Sequence, residues 1–228
     1  MKVLKFGGTS LGTPERMQAV AKLITQEPEE KIVVLSAVSG TTNTLVNIAL
    51  ALSRNNQPEA NALIEDLFQS YQHFCMQLLS KENSLQEALD IIDAHFTALR
   101  SISDSVYSEE IEKEILAQGE LLSTKLFVTY LEQENVPVAL LPALDFMRID
   151  DENEPDTDYI REKLEACIAQ HRGQQLFVTQ GYICLNSKHK VDNLQRGGSD
   201  YTASLVGEAV KATEIQIWTD IDGMHNND

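Results

Sequence analysis

Three short segments of this sequence concentrate the residue types that grip anions. Lys5-Phe6-Gly7-Gly8-Thr9-Ser10 joins a lysine to a glycine pair and two hydroxyls. Arg196-Gly197-Gly198-Ser199-Asp200 joins an arginine to a second glycine pair, a hydroxyl and a carboxylate. Between them in sequence, Ser36-Ala37-Val38-Ser39-Gly40-Thr41-Thr42-Asn43 is rich in hydroxyls. Adjacent glycines let backbone N–H groups come close to an anion, and a lysine beside them adds a full charge. Each segment also has a plain structural reading. A strand–Gly-Gly–helix junction can be a tight turn, Thr42 or Asn43 can cap a helix, and Ser199 can do the same. The first segment lacks the G-x-x-x-x-G-K-[ST] spacing, so it is not a P-loop. Trp218-Thr219-Asp220-Ile221-Asp222-Gly223 reads on its own as a strand running into a turn. Taken together, the segments suit a phosphate plus a small carboxylate, because backbone amides cradle the first and a guanidinium clamps the second.

Such groups need elements that bring them to one place. Residues 2–6 and 31–36 are short β-rich runs. A helix-period segment lies between them, opened by Thr13-Pro14 as N-cap and first-turn proline, with Met17, Val20, Ala21, Leu23 and Ile24 as its apolar stripe. Strand, Gly-rich turn, helix and strand make a βαβ unit, which implies a parallel sheet. In such a sheet, ligands sit beyond the carboxyl ends of the strands, so the Ser36 loop should face the first glycine loop. From Asn43 to about Glu134 the pattern is helical. Leu45, Ile48, Ala49 and Leu52 form one stripe, and Leu63, Ile64, Leu67, Phe68 and Tyr71 another. Ser84-x-x-Glu87 is a capping-box signature for a third helix, and a long helix follows near 109–134. Strand-like runs return at 136–141, 175–183 and 214–219, with helices at about 157–170 and 200–212. The expected fold is an α/β three-layer αβα sandwich around a mostly parallel sheet, one compact unit carrying a helical insertion at about 43–134.

Composition narrows the function classes. The chain has 228 residues, with 18 Lys+Arg against 35 Asp+Glu and a formal net charge of −17. That balance disfavours nucleic acid and anionic membranes as partners, since both call for clustered Lys and Arg. The acidity is uneven: residues 59–120 hold 13 acids and 3 bases, and residues 145–165 hold 9 acids and 3 bases. Both stretches read as solvated helical faces or loops, and they leave the glycine-rich segments close to neutral. Cys75, Cys167 and Cys184 form no disulfide framework, the five histidines show no zinc-like spacing, and no apolar run reaches membrane-span length. A soluble cytoplasmic protein is expected.

KFGGTS, VLSAVSGTTN, QGE, RGGSD and WTDIDG, in this order, resemble the catalytic domain of aspartokinases within the amino acid kinase fold. The resemblance covers essentially the whole chain, and the long helical stretch is more similar to the lysine-sensitive and the bifunctional aspartokinase–homoserine dehydrogenase types. It implies that Lys5 and Asp200 are catalytic, with Lys5, Gly7, Gly8, Thr9 and Ser10 around the transferring phosphoryl group and Asp200 orienting Lys5 by an ion pair. It implies an amino-acid pocket of Ser36, Thr42, Glu120, Arg196 and Ser199, in which Arg196 clamps the α-carboxylate and Glu120 meets the ammonium. Thr219, Asp220 and His225 would line the nucleotide site. Gln195 and His225 depart from the residues usual in the family. The family pattern continues past Asp228, which implies an N-terminal part of a longer protein that lacks the regulatory domains.

The activity implied is ATP-dependent phosphorylation of the L-aspartate β-carboxylate, the first step of lysine, threonine and methionine biosynthesis. Mg²⁺ would be held mainly through the phosphates, with no protein metal site, and the full-length protein would be a homo-oligomer. Alternatives are another amino acid kinase or a non-catalytic binding module. Because the β-carboxylate is already ionised at neutral pH, it needs no general base. Catalysis would then rest on positioning and on charge stabilisation.

Overall fold

The computed structural model describes residues 1–194 and 197–219. Strand β1 (Lys2–Phe6) leads through a 3₁₀ turn (Gly8–Leu11) into α1 (Pro14–Ile24), and β2 (Lys31–Leu35) follows. Four helices come next: α2 (Thr41–Ser53), α3 (Gln57–Leu78), α4 (Glu82–Ser103) and α5 (Glu109–Gln133). The chain continues through β3 (Ala139–Leu141), the single turn α6 (Ala143–Phe146), α7 (Thr157–Gln170), β4 (Leu176–Gln180), β5 (Ile183–Leu185), β6 (Val191–Asn193), α8 (Gly198–Ala209) and β7 (Glu214–Trp218).

Five strands form one parallel sheet in the order β3-β4-β2-β1-β7. Its two faces are apolar because alternate residues of each strand point to opposite sides. Leu4, Phe6, Val33, Leu35, Leu176 and Val178 pack with α1 to α5. Val3, Ile32, Val34 and Phe177 pack with α6, α7 and α8. This is the expected three-layer α/β sandwich.

Local chemistry sets the boundaries. Thr13 caps α1, its Oγ1 accepting from the Arg16 amide at 3.3 Å, with Pro14 at the first helical position. The third helix does not open at Ser84, which lies inside its first turn: α4 starts at Glu82 with Lys81 at the N-cap. The amides of Ser80 and Lys81 donate to Gln133 Oε1 at 2.8 and 2.9 Å. A tertiary partner therefore does there what a local capping box would have done. The run 175–183 is two strands rather than one. It breaks at Gly181-Tyr182, where Tyr182 takes φ 67°, and β5 then pairs antiparallel with β6. The hairpin has too few residues per strand to show in the pattern.

Candidate functional site

The register aligns the carboxyl ends of the central strands. Phe6 lies opposite Leu35 on one side and Trp218 on the other, and Leu35 lies opposite Gln180. The segments that follow β1, β2 and β4 therefore gather along one edge of the sheet, where parallel α/β folds bind ligands. The first glycine loop meets the Ser36 loop there. A Cβ on Gly8 would sit 2.9 Å from the Ala37 carbonyl oxygen, closer than real Cβ atoms come, so the backbone contact requires glycine.

Alternation along β1 turns Lys5 to the same face as Val3, the face covered by α8. Lys5 Nζ lies 2.7 Å from Asp200 Oδ1 in the first turn of α8. The ammonium end is largely enclosed, with the Lys5 side chain 13% exposed, while Asp200 is 56% exposed. The positive charge is thus held at the end of the glycine loop by an anion on its solvent side.

α8 opens through Gly197, in the left-handed region at φ 90°, so the N-cap is a glycine and not Ser199. Ser199 lies inside the helix, buried, and its hydroxyl accepts from Ser36 Oγ at 2.8 Å. Gly181 makes this approach possible, since a Cβ there would fall 2.3 Å from Ser199 Oγ. The Tyr182 amide donates to Thr202 Oγ1 at 2.9 Å and ties the same elbow to α8.

Glu120 comes from α5, on which Ile115 through Glu120 are all buried. The residue is 4% exposed. Oε1 accepts from the Ala37 amide at 3.3 Å, and Oε2 is buried with no hydrogen-bond partner among the described residues. Burial pushes this carboxyl up to about 7, against the smaller opposing effect of the Ala37 amide. A buried acceptor left open in this way calls for a donor or a cation. The nearby phenols feel the same environment: burial first, and then the Glu120 charge, raises Tyr182 to about 12, and burial keeps Tyr71 protonated.

The structure therefore brings together Lys5, Gly8, Ser36, Glu120, Ser199 and Asp200. Gly7 lies beside Lys5, and Thr9 turns its carbonyl to Arg16 Nη1 at 2.9 Å. Ser10 and Thr219 line a neighbouring cavity of about 390 Å³ with Phe6, Arg16 and Trp218. Thr42 stands exposed in the first turn of α2. That helix is capped by Gly40 at φ 86°, not by Thr42 or Asn43. The buried hydroxyl there belongs to Thr41, which shares a 2.9 Å hydrogen bond with Tyr71. Arg196, Asp220 and His225 lie outside the described residues, as does Gln195.

Sequence reasoning passed over several polar residues of this network. Ser123 and Thr124 follow Glu120 by about one helical turn and are wholly buried. Gln180, at the end of β4, donates to Thr124 Oγ1 at 2.7 Å and accepts from the Ala143 amide at 2.7 Å. Hydroxyls recurring on the face of Glu120, inside an otherwise apolar helix, were the available signal. A roomier cavity, about 800 Å³, lies elsewhere, between α4 and α5, and is lined by His95, Gln118 and Lys125.

A model of the amino acid kinase family matches residues 1–228. The chain is 32% identical to lysine-sensitive aspartokinase 3 of Escherichia coli (strain K12) over 229 residues, covering 99% of this chain and 50% of that protein. It is 31% identical over 231 residues to bifunctional aspartokinase/homoserine dehydrogenase 2 of the same organism, covering 98% of this chain and 28% of that one. The solved structure of E. coli aspartokinase III in complex with aspartate and ADP superposes with a TM-score of 0.84 at 31% identity, covering 98% of this chain and 50% of that chain. The chain thus spans about half the length of that lysine-sensitive relative.

Proposed function

The chain belongs to the amino acid kinase family, and on that premise we propose that it transfers the γ-phosphoryl group of ATP to the β-carboxylate of L-aspartate. The observation that carries this reading is the pairing of two unlike subsites at one sheet edge. One is a cationic glycine loop held by Lys5–Asp200. The other is a buried carboxylate, Glu120, with an open oxygen. The first suits phosphoryl oxygens, and the second suits the ammonium of an amino acid. The aspartate- and ADP-bound relative supports the same pair of ligands.

In the proposed reaction a carboxylate oxygen of aspartate attacks the γ-phosphorus as the bond to the bridging oxygen breaks, giving 4-phospho-aspartate and ADP. No proton has to be removed, because the attacking group is already an anion. The obstacle is the approach of an anion to a polyanion. Lys5, with the amides of the Gly7-Gly8 loop, sets a fixed positive field where charge spreads in the transition state. Asp200 keeps Lys5 aimed. Glu120 takes the substrate ammonium, Ser36 and Ser199 bound the pocket, and Arg196 clamps the α-carboxylate. Thr9 and Ser10 extend the phosphate loop, Thr42 belongs to the amino-acid side, and Thr219, Asp220 and His225 belong to the nucleotide side.

Among the described residues no three His, Cys, Asp or Glu lie together as a metal cage. The Mg²⁺ that accompanies ATP would be carried by the phosphates, where it supplies charge neutralisation. Also among the described residues, no helix is long and apolar enough to cross a membrane. A cytoplasmic enzyme that works as a homo-oligomer in its full-length form completes the proposal.

The test is coupled ADP release by the purified protein with Mg-ATP and L-aspartate. Turnover that requires aspartate supports the reading, and turnover with glutamate or carbamate in its place assigns a different acid.

A further inference from the structure

α5 holds both ends of one peptide group. Ser123 Oγ donates to the Ser36 carbonyl oxygen at 2.8 Å, closer than its contact with the Glu120 carbonyl at 3.2 Å. The Ala37 amide of the same peptide donates to Glu120 Oε1 at 3.3 Å. Glu120 and Ser123 are three residues apart and share a helix face, so a single turn of α5 grips the Ser36–Ala37 peptide from both sides. The helix comes close enough because residue 119 is glycine: a Cβ there would sit 2.8 Å from Ala37 Cβ. Ser123 is 0% exposed, so water does not stand in for its hydroxyl.

This grip has a consequence for the pocket. Ser36 Oγ reaches Ser199, and Ser199 adjoins Asp200, the partner of Lys5. The peptide that Ser123 anchors is therefore the bridge between the Glu120 side and the α8 side. We propose that Ser123 is a positioning residue for the amino-acid pocket, fixing Ser36 and Glu120 in one register without itself touching substrate. The proposal rests on the kinase reading for its kinetic consequence and on the peptide contact alone for its structural one.

Two measurements on Ser123→Ala test it. The first is steady-state kinetics. The KM for aspartate should rise about tenfold, near the value of one buried hydrogen bond, with the KM for Mg-ATP within twofold of wild type. Ser123→Thr, which keeps the hydroxyl, should restore the KM for aspartate. An unchanged KM, or an equal rise for both substrates, would overturn the proposal. The second is amide hydrogen exchange, which needs no turnover. Exchange at Ala37 should accelerate at least about tenfold while Val34 in β2 keeps its rate, and an unchanged Ala37 rate would overturn the proposal. If Ser123→Ala fails to fold, Ser123→Cys preserves the volume with a weak donor and should show the same two effects. Wild-type protein that does not turn over aspartate ends the kinase reading, and the exchange measurement still decides the grip.

Discussion

Lys5 Nζ meets Asp200 Oδ1 at 2.7 Å, joining the end of the first strand to the first turn of α8 from opposite ends of the sequence. The pair sits where the glycine loop leaves the sheet, so Asp200 governs where the ammonium points. Replacing Asp200 with Asn removes the anion and keeps the shape. The turnover number should fall about 10- to 100-fold, since misplacing one charged group by a fraction of an ångström weakens transition-state stabilisation. The KM for aspartate should change little. A kcat within twofold of wild type would reduce the ion pair to a surface contact.

The buried Glu120 carboxyl makes stability depend on pH with a definite sign. Its folded value, about 7, lies above the 4.5 of an ordinary glutamate. The folded protein therefore holds the proton more tightly than the unfolded chain does. As pH rises from about 4.5 through 7, ionisation favours the unfolded state, so stability falls across that window and then levels off. The full effect is on the order of 3 kcal/mol at about 1.4 kcal/mol per pH unit. Denaturant unfolding of Glu120→Gln and wild type at pH 5 and pH 8 checks this. The variant should gain on wild type at pH 8 and lose most of that advantage at pH 5. Parallel pH profiles would remove Glu120 as the source.

Gly181 lies under Ser199 with no room for a methyl group. Gly181→Ala should force α8 off the elbow after β4 and cost about 1–3 kcal/mol in denaturant unfolding, as overpacked sites do. It should also raise the KM for aspartate, because Ser199 and Asp200 move with the helix. Wild-type stability in this variant would show that the elbow gives way easily.

Lys113 on α5 reaches Asp192 of β6 at 2.9 Å, and the Asp192 side chain is buried. Asn186 Nδ2 also donates to it, at 3.3 Å. Lys113→Met leaves that carboxylate with only neutral donors among the described residues, a loss of about 3 kcal/mol when a buried pair is broken. The β5–β6 hairpin should lose hydrogen-exchange protection before the main sheet does. Uniform loss across both sheets would argue against a local role.

Much of the fold was legible because its signals are local. The βαβ start, Thr13-Pro14 as a helix opening and the helical run after residue 43 all follow from periodicity and capping within a few residues. What escaped depends on distant partners. Lys81 opens α4 because Gln133 satisfies the backbone there, and no pattern near Ser84 shows that. Tyr182 turns at positive φ where the pattern reads as continuous strand, because Thr202 and Ser199 of α8 hold the elbow from the other side. Around the site, glycine pairs and charged residues stood out by type. Ser123, Thr124 and Gln180 did not, since a buried hydroxyl or amide looks like any other polar residue until its partner is known. Thr41 rather than Thr42 faces inward because Gly40 opens α2 earlier than hydroxyl capping suggests.

The most direct test of the central claim is aspartate-dependent ADP release by wild-type protein beside Lys5→Ala. A fall in kcat of at least about 100-fold is expected, the scale seen when a group stabilising transition-state charge is removed, with the thermal unfolding midpoint within a few degrees of wild type. A Lys5→Ala protein that folds and turns over aspartate at the wild-type rate would contradict the assignment of the glycine loop as the phosphoryl-transfer site.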